Sequence, residues 1–294
     1  MSRLFRRENL VPYAFVIVPL VIYIIWVIGP MFHTFYLSLT NWDGVSTPHY
    51  VGFRNYVKLF NDPVFYISLQ NNVKWIISFI TVPVVAGLAL AITLNRAIPG
   101  EKFFKASFYA PMVLALVVCG LIWSWMYHPA GGLINSTLRA LGLKSLAKGW
   151  LSDRRLVLWA IILVAIWRQV GYVMVLYLAG LQSIDPQLID ASKVDGCNAW
   201  HTFSKVVFPL LGPVTVIVVV ISIIDSLRAF DLVSVMTRGG PYNSSSVLAN
   251  FMYIEAFNNY KMGYGAAIAV ILFLITAVFI GIYLYRVLQT EMEY

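Results

Sequence analysis

Three ionisable residues stand at three-residue spacing where an apolar stretch of the chain ends. They are Asp225, Arg228 and Asp231, and residues at this spacing in a helix share a broad face on which neighbouring charges can pair. If the stretch crosses a membrane, ionisable groups within it are costly and by default indicate function. The trio is predicted either to line the path of a polar solute or to form ion pairs that fix helix packing.

Two other apolar stretches contain polar residues that raise the same question. Arg168 lies near the middle of one of them, where its charge requires a carboxylate, backbone carbonyls or water. Asp225 or Asp231 could supply that carboxylate. Asn72, followed closely by Lys74, opens another stretch. Asn72 is predicted either to face the solute path or to cap its helix.

The composition is that of an integral membrane protein. Of 294 residues, 60% are hydrophobic and 12% charged, whereas soluble domains carry about 25% charged residues; the mean hydropathy is +0.78. A helix needs about 20 apolar residues to cross the hydrocarbon core, and period-2 alternation is absent. We therefore predict an all-α protein whose single transmembrane domain, residues 1–294, has six spans, at about 11–30, 75–94, 106–127, 156–181, 206–227 and 264–285.

The basic residues suggest an orientation for these six spans. Arg3, Arg6 and Arg7 precede the first span, and Arg96 and Lys102 lie between the second and third. Both groups favour the cytoplasm under the positive-inside rule. The segment 130–155 also contains five basic residues but falls outside. With most weight on the first span, which is too long for a cleaved signal peptide, both termini are predicted to be cytoplasmic.

A polar segment, residues 184–209, separates the fourth and fifth spans and is thereby predicted to be cytoplasmic. Asp185-Pro186 is a good helix start, and Gly196 suits a helix end because glycine adopts the left-handed conformation without strain. Asn198 can cap a second helix that Pro209 limits. The segment is predicted to be a helix-turn-helix; the alternative is an amphipathic connector on the membrane surface.

The same segment resembles the EAA loop of ABC-importer permeases. Asp190-Ala191-Ser192, Gly196 four residues later, and the end Val207-Phe208-Pro209 follow that pattern, with Asp for the usual Glu and Ser for the second Ala. In that family the loop docks on a separate ATPase. The resemblance implies coupling roles for Asp190, Ala191, Asp195, Gly196, Trp200, Phe203 and Pro209.

Further motifs extend the resemblance over most of the chain. Val51–Tyr56, Asn95–Gly100, Phe230–Val233 and Met236–Pro241 are similar to segments of carbohydrate-importer permeases. The resemblance implies a multi-pass subunit of a bacterial inner membrane that pairs with a second permease. It also implies an ATPase dimer, which binds ATP and Mg, and an extracytoplasmic sugar-binding protein; this chain itself would need no cofactor.

Other function classes lack their motifs. No phosphate loop of the G-x-x-x-x-G-K-[ST] type is present, so ATP hydrolysis is expected in a partner and not in this chain. The two cysteines and four histidines show no metal-ligand spacing, and we expect neither a metal site nor a disulfide. We expect the protein to contact membrane lipid and not to bind nucleic acid. The remaining alternative is an ion-coupled secondary transporter that uses Asp225.

Overall fold

The computed structural model describes residues 7–96 and 98–291, and these form helices and loops. Within those ranges, Thr40 and Tyr50 form an isolated antiparallel β-bridge. The helices, in chain order, are α1 (Arg7–Tyr23), α2 (Gly29–Ser38), α3 (Arg54–Phe60), α4 (Pro63–Leu94), α5 (Glu101–Val113), α6 (Leu116–Met126), α7 (Leu133–Ala140), α8 (Val157–Gln182), α9 (Pro186–Val194), α10 (Ala199–Thr202), α11 (Phe208–Leu210), α12 (Gly212–Leu227), α13 (Asp231–Met236), α14 (Leu248–Tyr253) and α15 (Met262–Glu291).

The all-α membrane fold is confirmed, and the spans take two forms. Four continuous helices are long and apolar enough to cross a membrane: Phe15–Ser38, Pro63–Leu94, Val157–Gln182 and Met262–Gly281. The first continues from α1 into α2 through a π-helical turn, Ile24–Ile28. Two bent helix pairs bring the number of candidate spans in the described residues to as many as six, if each pair counts as one span. Arg3 and Arg6, on which the predicted orientation partly rests, lie outside the described residues.

The third and fifth spans are the bent ones. The third, predicted as one helix over 106–127, consists of α5 and α6 at 100° to each other. Leu114 and Ala115 between them are extended, and Pro111 weakens the last turn of α5 because it has no N–H to donate. The fifth bends by 67° at Leu211, so the helical path continues past Pro209, which was predicted to limit it.

The chain forms two compact units. One contains the part up to Asp62 and Met252–Leu274. In it, the amide of Asn55 donates to the carbonyls of Ser38 (2.8 Å) and Thr40 (2.7 Å). Those carbonyls follow the end of α2, where the helix leaves acceptors without partners. The motif Val51–Tyr56 therefore caps the first span.

The other unit contains Pro63–Phe251 and the residues from Ile275 onward, and α8 is its central helix. Of the most apolar window of α8, 56% is buried, against α4, α5 and α12. Glycines allow these close approaches: a Cβ on Gly87 would lie 2.6 Å from Val173, and one on Gly180 would lie 2.8 Å from Val214. Since α8 contacts three other spans, its position determines theirs.

Gly171 makes the tightest of these contacts and provides a test of the packing. A Cβ there would overlap the carbonyl oxygen of Phe108 and lie 3.0 Å from the Cα of Tyr109, both on α5. Gly171→Ala is therefore expected to destabilise the protein by about 1–3 kcal/mol, the usual cost of overpacking. The measurement is the melting temperature of the purified protein in detergent.

Gly281→Ala is the matched control, since a Cβ at Gly281 in α15 meets nothing within 4 Å. It should melt at the wild-type temperature. A Gly171→Ala protein with the same melting temperature as this control would show that α5 does not pack on α8 as described.

Candidate functional site

A cavity of about 350 Å³ lies between the spans of the second unit. Four of the five residues predicted to line a solute path surround it: Arg168 from α8, Asp225 from α12, Arg228 after that helix, and Asp231 at the start of α13. They come from sequence positions up to 63 residues apart. The fold thus brings two carboxylates and two guanidinium groups to one concave surface.

Backbone carbonyls, one of the three kinds of partner expected for Arg168, accept its hydrogen bonds, and neither Asp225 nor Asp231 forms an ion pair with it among the described residues. Its Nη2 donates to the carbonyl of Met112 (3.2 Å), and its Nε donates to that of Leu114 (3.3 Å). In a continuous helix these carbonyls would accept from N–H groups four residues later, but the 100° bend removes those partners. Arg168 therefore donates to the carbonyls that the break in the third span leaves without partners. Those carbonyls are in turn the acceptors that the guanidinium group of Arg168 requires.

The predicted ion pairs of the trio do not form. Among the described residues, no ion pair within 4 Å joins Arg228 to Asp225 or Asp231. Helix α12 ends at Leu227 and α13 begins at Asp231, so the three residues do not share one continuous helix. The carboxylate of Asp225 instead accepts a long hydrogen bond, 3.4 Å, from the amide of Gln169.

Asn72, the fifth predicted residue, does not line the cavity. Its side chain is 1% exposed, and its Oδ1 accepts from the backbone N–H of Leu248 at 2.8 Å. The neighbouring Asn71 donates to the carbonyls of Ser244 (2.9 Å) and Ser246 (2.8 Å). These two amides hold the loop before α14 against α4, and the position of Asn72 indicates a packing role.

Sequence reasoning missed the aromatic wall of the cavity. Trp75 and Phe79 of α4 line it, together with Phe230 between α12 and α13. A signal was present, because Asn72, Trp75 and Phe79 recur at helical spacing and therefore share one face of α4. Trp123 of α6 does not line the cavity and packs on Tyr127 and Trp167, each with ring centroids 5.4 Å apart.

The lining of the cavity suits an uncharged, hydroxyl-rich solute. Carboxylates accept hydrogen bonds from hydroxyl groups and guanidinium groups donate to them. The two kinds of charge balance, two of each, so the cavity favours neither a cation nor an anion. Binding sites combine such polar groups with aromatic walls, and the flat C–H faces of a ring-shaped solute can pack on them.

The second candidate site is the polar segment between α8 and α12, and it is a helix-turn-helix as predicted. Asp185 caps α9 by accepting from the N–H of Gln187 (2.9 Å), and Asn198 caps α10 by accepting from that of His201 (2.9 Å). Gly196 in the turn has φ +82°, and a Cβ there would meet nothing within 4 Å. Glycine is thus required by the backbone conformation and not by crowding within the chain.

The outer face of this helix-turn-helix is apolar and uncovered within the described chain. Val194 is 87% exposed and Trp200 70% exposed. Asp190, Ala191 and Asp195 are also exposed, as are Gly196 and Pro209, and Asp190 pairs with Lys193 at 2.8 Å.

The inner face holds the two helices together. The hydroxyls of Ser192 and Thr202, both buried, hydrogen bond to each other at 3.0 Å. Phe203, one of the residues assigned to coupling, is half-buried and packs on the cluster that includes Val207 and Leu211. Phe203 therefore stabilises the helix-turn-helix by packing on its inner side.

The described part of the chain contains neither a disulfide nor a cluster of possible metal ligands. Cys119 and Cys197 are both free thiols. Within the described ranges, no three His, Cys, Asp or Glu side chains are grouped so that they could hold a metal ion.

Comparison with known proteins identifies the family. Residues 9–294 match the family described as binding-protein-dependent transport system inner membrane component. A probable ABC transporter permease protein of Pyrococcus horikoshii, PH1215, is 38% identical over 283 residues, which cover 95% of this chain and 97% of the relative. The probable starch degradation products transport system permease protein AmyD of Thermoanaerobacterium thermosulfurigenes is 33% identical over 289 residues, 98% of each chain.

A solved structure shares the fold. A chain of a bacterial ABC transporter that imports the acidic polysaccharide alginate superposes with a TM-score of 0.84, covering 95% of this chain and 96% of that one, at 19% identity. The family match spans nearly the whole sequence, both bent spans included. The chain therefore belongs to the binding-protein-dependent transport system inner membrane components: it is the permease subunit of an ABC importer, a multi-pass inner-membrane protein whose ATP is bound by a separate ATPase subunit.

Proposed function

We propose that this permease carries a carbohydrate through the cavity between α4, α8 and α12. The observation on which this proposal rests is the lining of that cavity, to which Asp225, Arg228 and Asp231 contribute together with the aromatic residues Trp75 and Phe79. Carbohydrates present both hydroxyl groups and flat C–H faces, which such a surface can bind. AmyD, 33% identical, is named for starch degradation products, and this supports a sugar as the transported solute.

In this proposal Asp225 contacts the solute, whereas Arg168 positions the wall of the cavity. Asp225 is exposed and lines the cavity, and the hydrogen bond it makes among the described residues is long, 3.4 Å, so its carboxylate remains available to a hydroxyl group. Two of the three guanidinium nitrogens of Arg168, Nε and Nη2, already donate to backbone carbonyls. The ion-coupled alternative for Asp225 has no support, because the chain belongs to a family of ABC importers.

The helix-turn-helix is proposed to be the surface on which the ATPase docks. Val194 and Trp200 give it an exposed apolar centre, and a buried aromatic anchor is typical of protein interfaces. Asp190, Ala191, Asp195 and Gly196 of the same segment are exposed as well. Closure of an ATPase dimer would move this segment and, through α8 and α12, the walls of the cavity.

The proposed assembly contains two permease subunits, an ATPase dimer and an extracytoplasmic sugar-binding protein. The first span supports pairing with a second permease, because none of the most apolar window of Phe15–Ser38 is buried within the chain. Both termini and the helix-turn-helix are proposed to be cytoplasmic in a bacterial inner membrane. The long segment 130–155 then lies on the extracytoplasmic side.

Replacement of Gly196 tests the docking role. Gly196→Asp is expected to reduce sugar uptake at least about tenfold while the protein remains in the membrane, since the new side chain projects into open space where the ATPase would bind. Uptake of labelled sugar by whole cells and the amount of ATPase that co-purifies are the measurements.

Gly142→Asp is the matched control for this variant. Gly142 also has positive φ, +78°, with nothing within 4 Å of a Cβ, but it lies in the segment between the third and fourth spans. Both variants should carry the same backbone strain, so equal transport by the two would argue against a special role for Gly196.

Replacement of Asp225 tests the solute path. Asp225→Asn keeps the shape of the side chain but removes its charge, and it is expected to lower uptake kcat/KM about tenfold or more, since a charged acceptor contributes roughly 1.5–3 kcal/mol. The melting temperature should stay within about 2 °C of the wild type, because the Asn oxygen can still accept the long hydrogen bond from Gln169. Asp153→Asn, a change in an exposed loop, controls for charge and should transport normally.

If Asp225→Asn transported normally but melted at a lower temperature, the residue would have a packing role and the proposed path would be wrong. The two readouts thus separate solute contact from helix packing.

Cysteine labelling tests the orientation. Val194→Cys, placed at a site that is 87% exposed in a Cys197→Ser background, should react with a membrane-impermeant maleimide only after the cytoplasmic side is opened. Tyr242→Cys, at an 80% exposed position beyond the fifth span, should react in intact spheroplasts. The reverse pattern would place the helix-turn-helix outside the cell.

A further inference from the structure

A second cavity, of about 540 Å³, lies under the inner face of the helix-turn-helix. Its walls come from the last turn of α4, the end of α8 and the facing sides of α9, α10 and the turn that follows. Ile92, Leu181, Ile189 and Phe203 are among the eight apolar residues of the twelve that line it. It shares no residue with the cavity around Asp225.

The cavity lies at the ends of two candidate membrane spans. Helices α4 and α8 are long and apolar enough to cross a membrane and end at Leu94 and Gln182, and the cavity begins within their last turns, where a span meets the headgroup region. Acyl chains of the surrounding bilayer can therefore reach it directly. A chain of methylene groups that enters it gains about 0.8 kcal/mol for each group removed from water.

Other small occupants fit the lining poorly. A buried water needs two to four polar partners, and most of these walls are apolar. A sugar would leave its hydroxyl groups unpaired against Ile184, Ile189 and Val207, which is costly. An apolar chain is the occupant that these walls can bind.

Cationic and polar groups at the cavity indicate which head group the apolar chain should carry. Arg96 and Lys193 both line it, together with Asn95. Lys193 is partly neutralised by Asp190 at 2.8 Å, whereas Arg96 is exposed and makes no ion pair among the described residues. A guanidinium group binds a phosphate in a forked geometry, so the ligand should carry a phosphate beside its apolar chain.

We propose that this cavity binds an anionic phospholipid of the surrounding membrane, with an acyl chain between the helices and the phosphate against Arg96. Because the lipid would touch α8, α9 and α10 at once, it would stiffen the link between the helix-turn-helix and the spans. The lipid would belong to the cytoplasmic leaflet, and this assignment alone rests on the proposed function. Lipid binding itself does not require that the ATPase dock on this segment.

Cys197 provides a native reporter of occupancy. It lines the cavity and is partly exposed, while the other cysteine, Cys119, is 0% exposed and should not react. The test uses the full-length permease, co-purified with its partner subunits and depleted of lipid in a maltoside detergent. The rate of Cys197 alkylation by a maleimide is measured after addition of phosphatidylglycerol or, separately, phosphatidylcholine.

Phosphatidylglycerol is expected to slow alkylation at least about fivefold relative to phosphatidylcholine. Arg96→Gln should abolish that difference, and Lys205→Gln should preserve it, because Lys205 is an exposed cation of the same segment that does not line the cavity. Native mass spectrometry should detect one retained phosphatidylglycerol in the wild type and in Lys205→Gln, but not in Arg96→Gln.

Three outcomes would overturn the proposal. Equal alkylation rates in the two lipids would exclude selection of an anionic headgroup. Protection that appears only with the ATPase present, whatever the lipid, would make the ATPase the occupant. Loss of the lipid effect in Lys205→Gln as well would indicate general attraction to a charged surface. Failure of the ATPase to bind, with the lipid effect intact, would instead count against the proposed docking role alone.

Discussion

The contact between Arg168 and the broken third span is the constraint on which the rest of the membrane unit depends. A guanidinium group within a span is tolerated only if it finds acceptors, and a bend within a span is tolerated only if its carbonyls find donors. Here the carbonyls of Met112 and Leu114 meet both needs at once. The contact fixes α5 and α6 on α8, and this leaves the space in which the first cavity lies.

Helix α8 connects the two candidate sites. Arg168 and Gln169 lie at its centre beside the cavity, and its C-terminal end at Gln182 leads into the helix-turn-helix. The 13 residues between Gln169 and Gln182 correspond to about 20 Å of continuous helix. Near that end, Gly180 allows α8 to approach the start of α12 closely. A displacement of the helix-turn-helix would therefore reach two walls of the cavity through packed helices.

Asparagine side chains bind the backbone of loops in both units. Asn55 caps the end of the first span in one unit. Asn71 and Asn72 pair with backbone groups of the loop that follows the fifth span in the other. Non-helical backbone near a membrane needs such partners, because lipid offers none. The asparagines thus satisfy loop backbone in both units.

The sequence by itself determined what depends on composition and local pattern. Apolar length predicted the membrane fold, and the capping residues Asp185 and Asn198 predicted the helix-turn-helix, because both effects act within a few turns of chain. The break at Leu114, the carbonyl partners of Arg168 and the aromatic wall of Trp75 and Phe79 were decided only by tertiary structure. Each of these depends on groups far apart in sequence, and hydropathy does not specify which face of one apolar helix meets another.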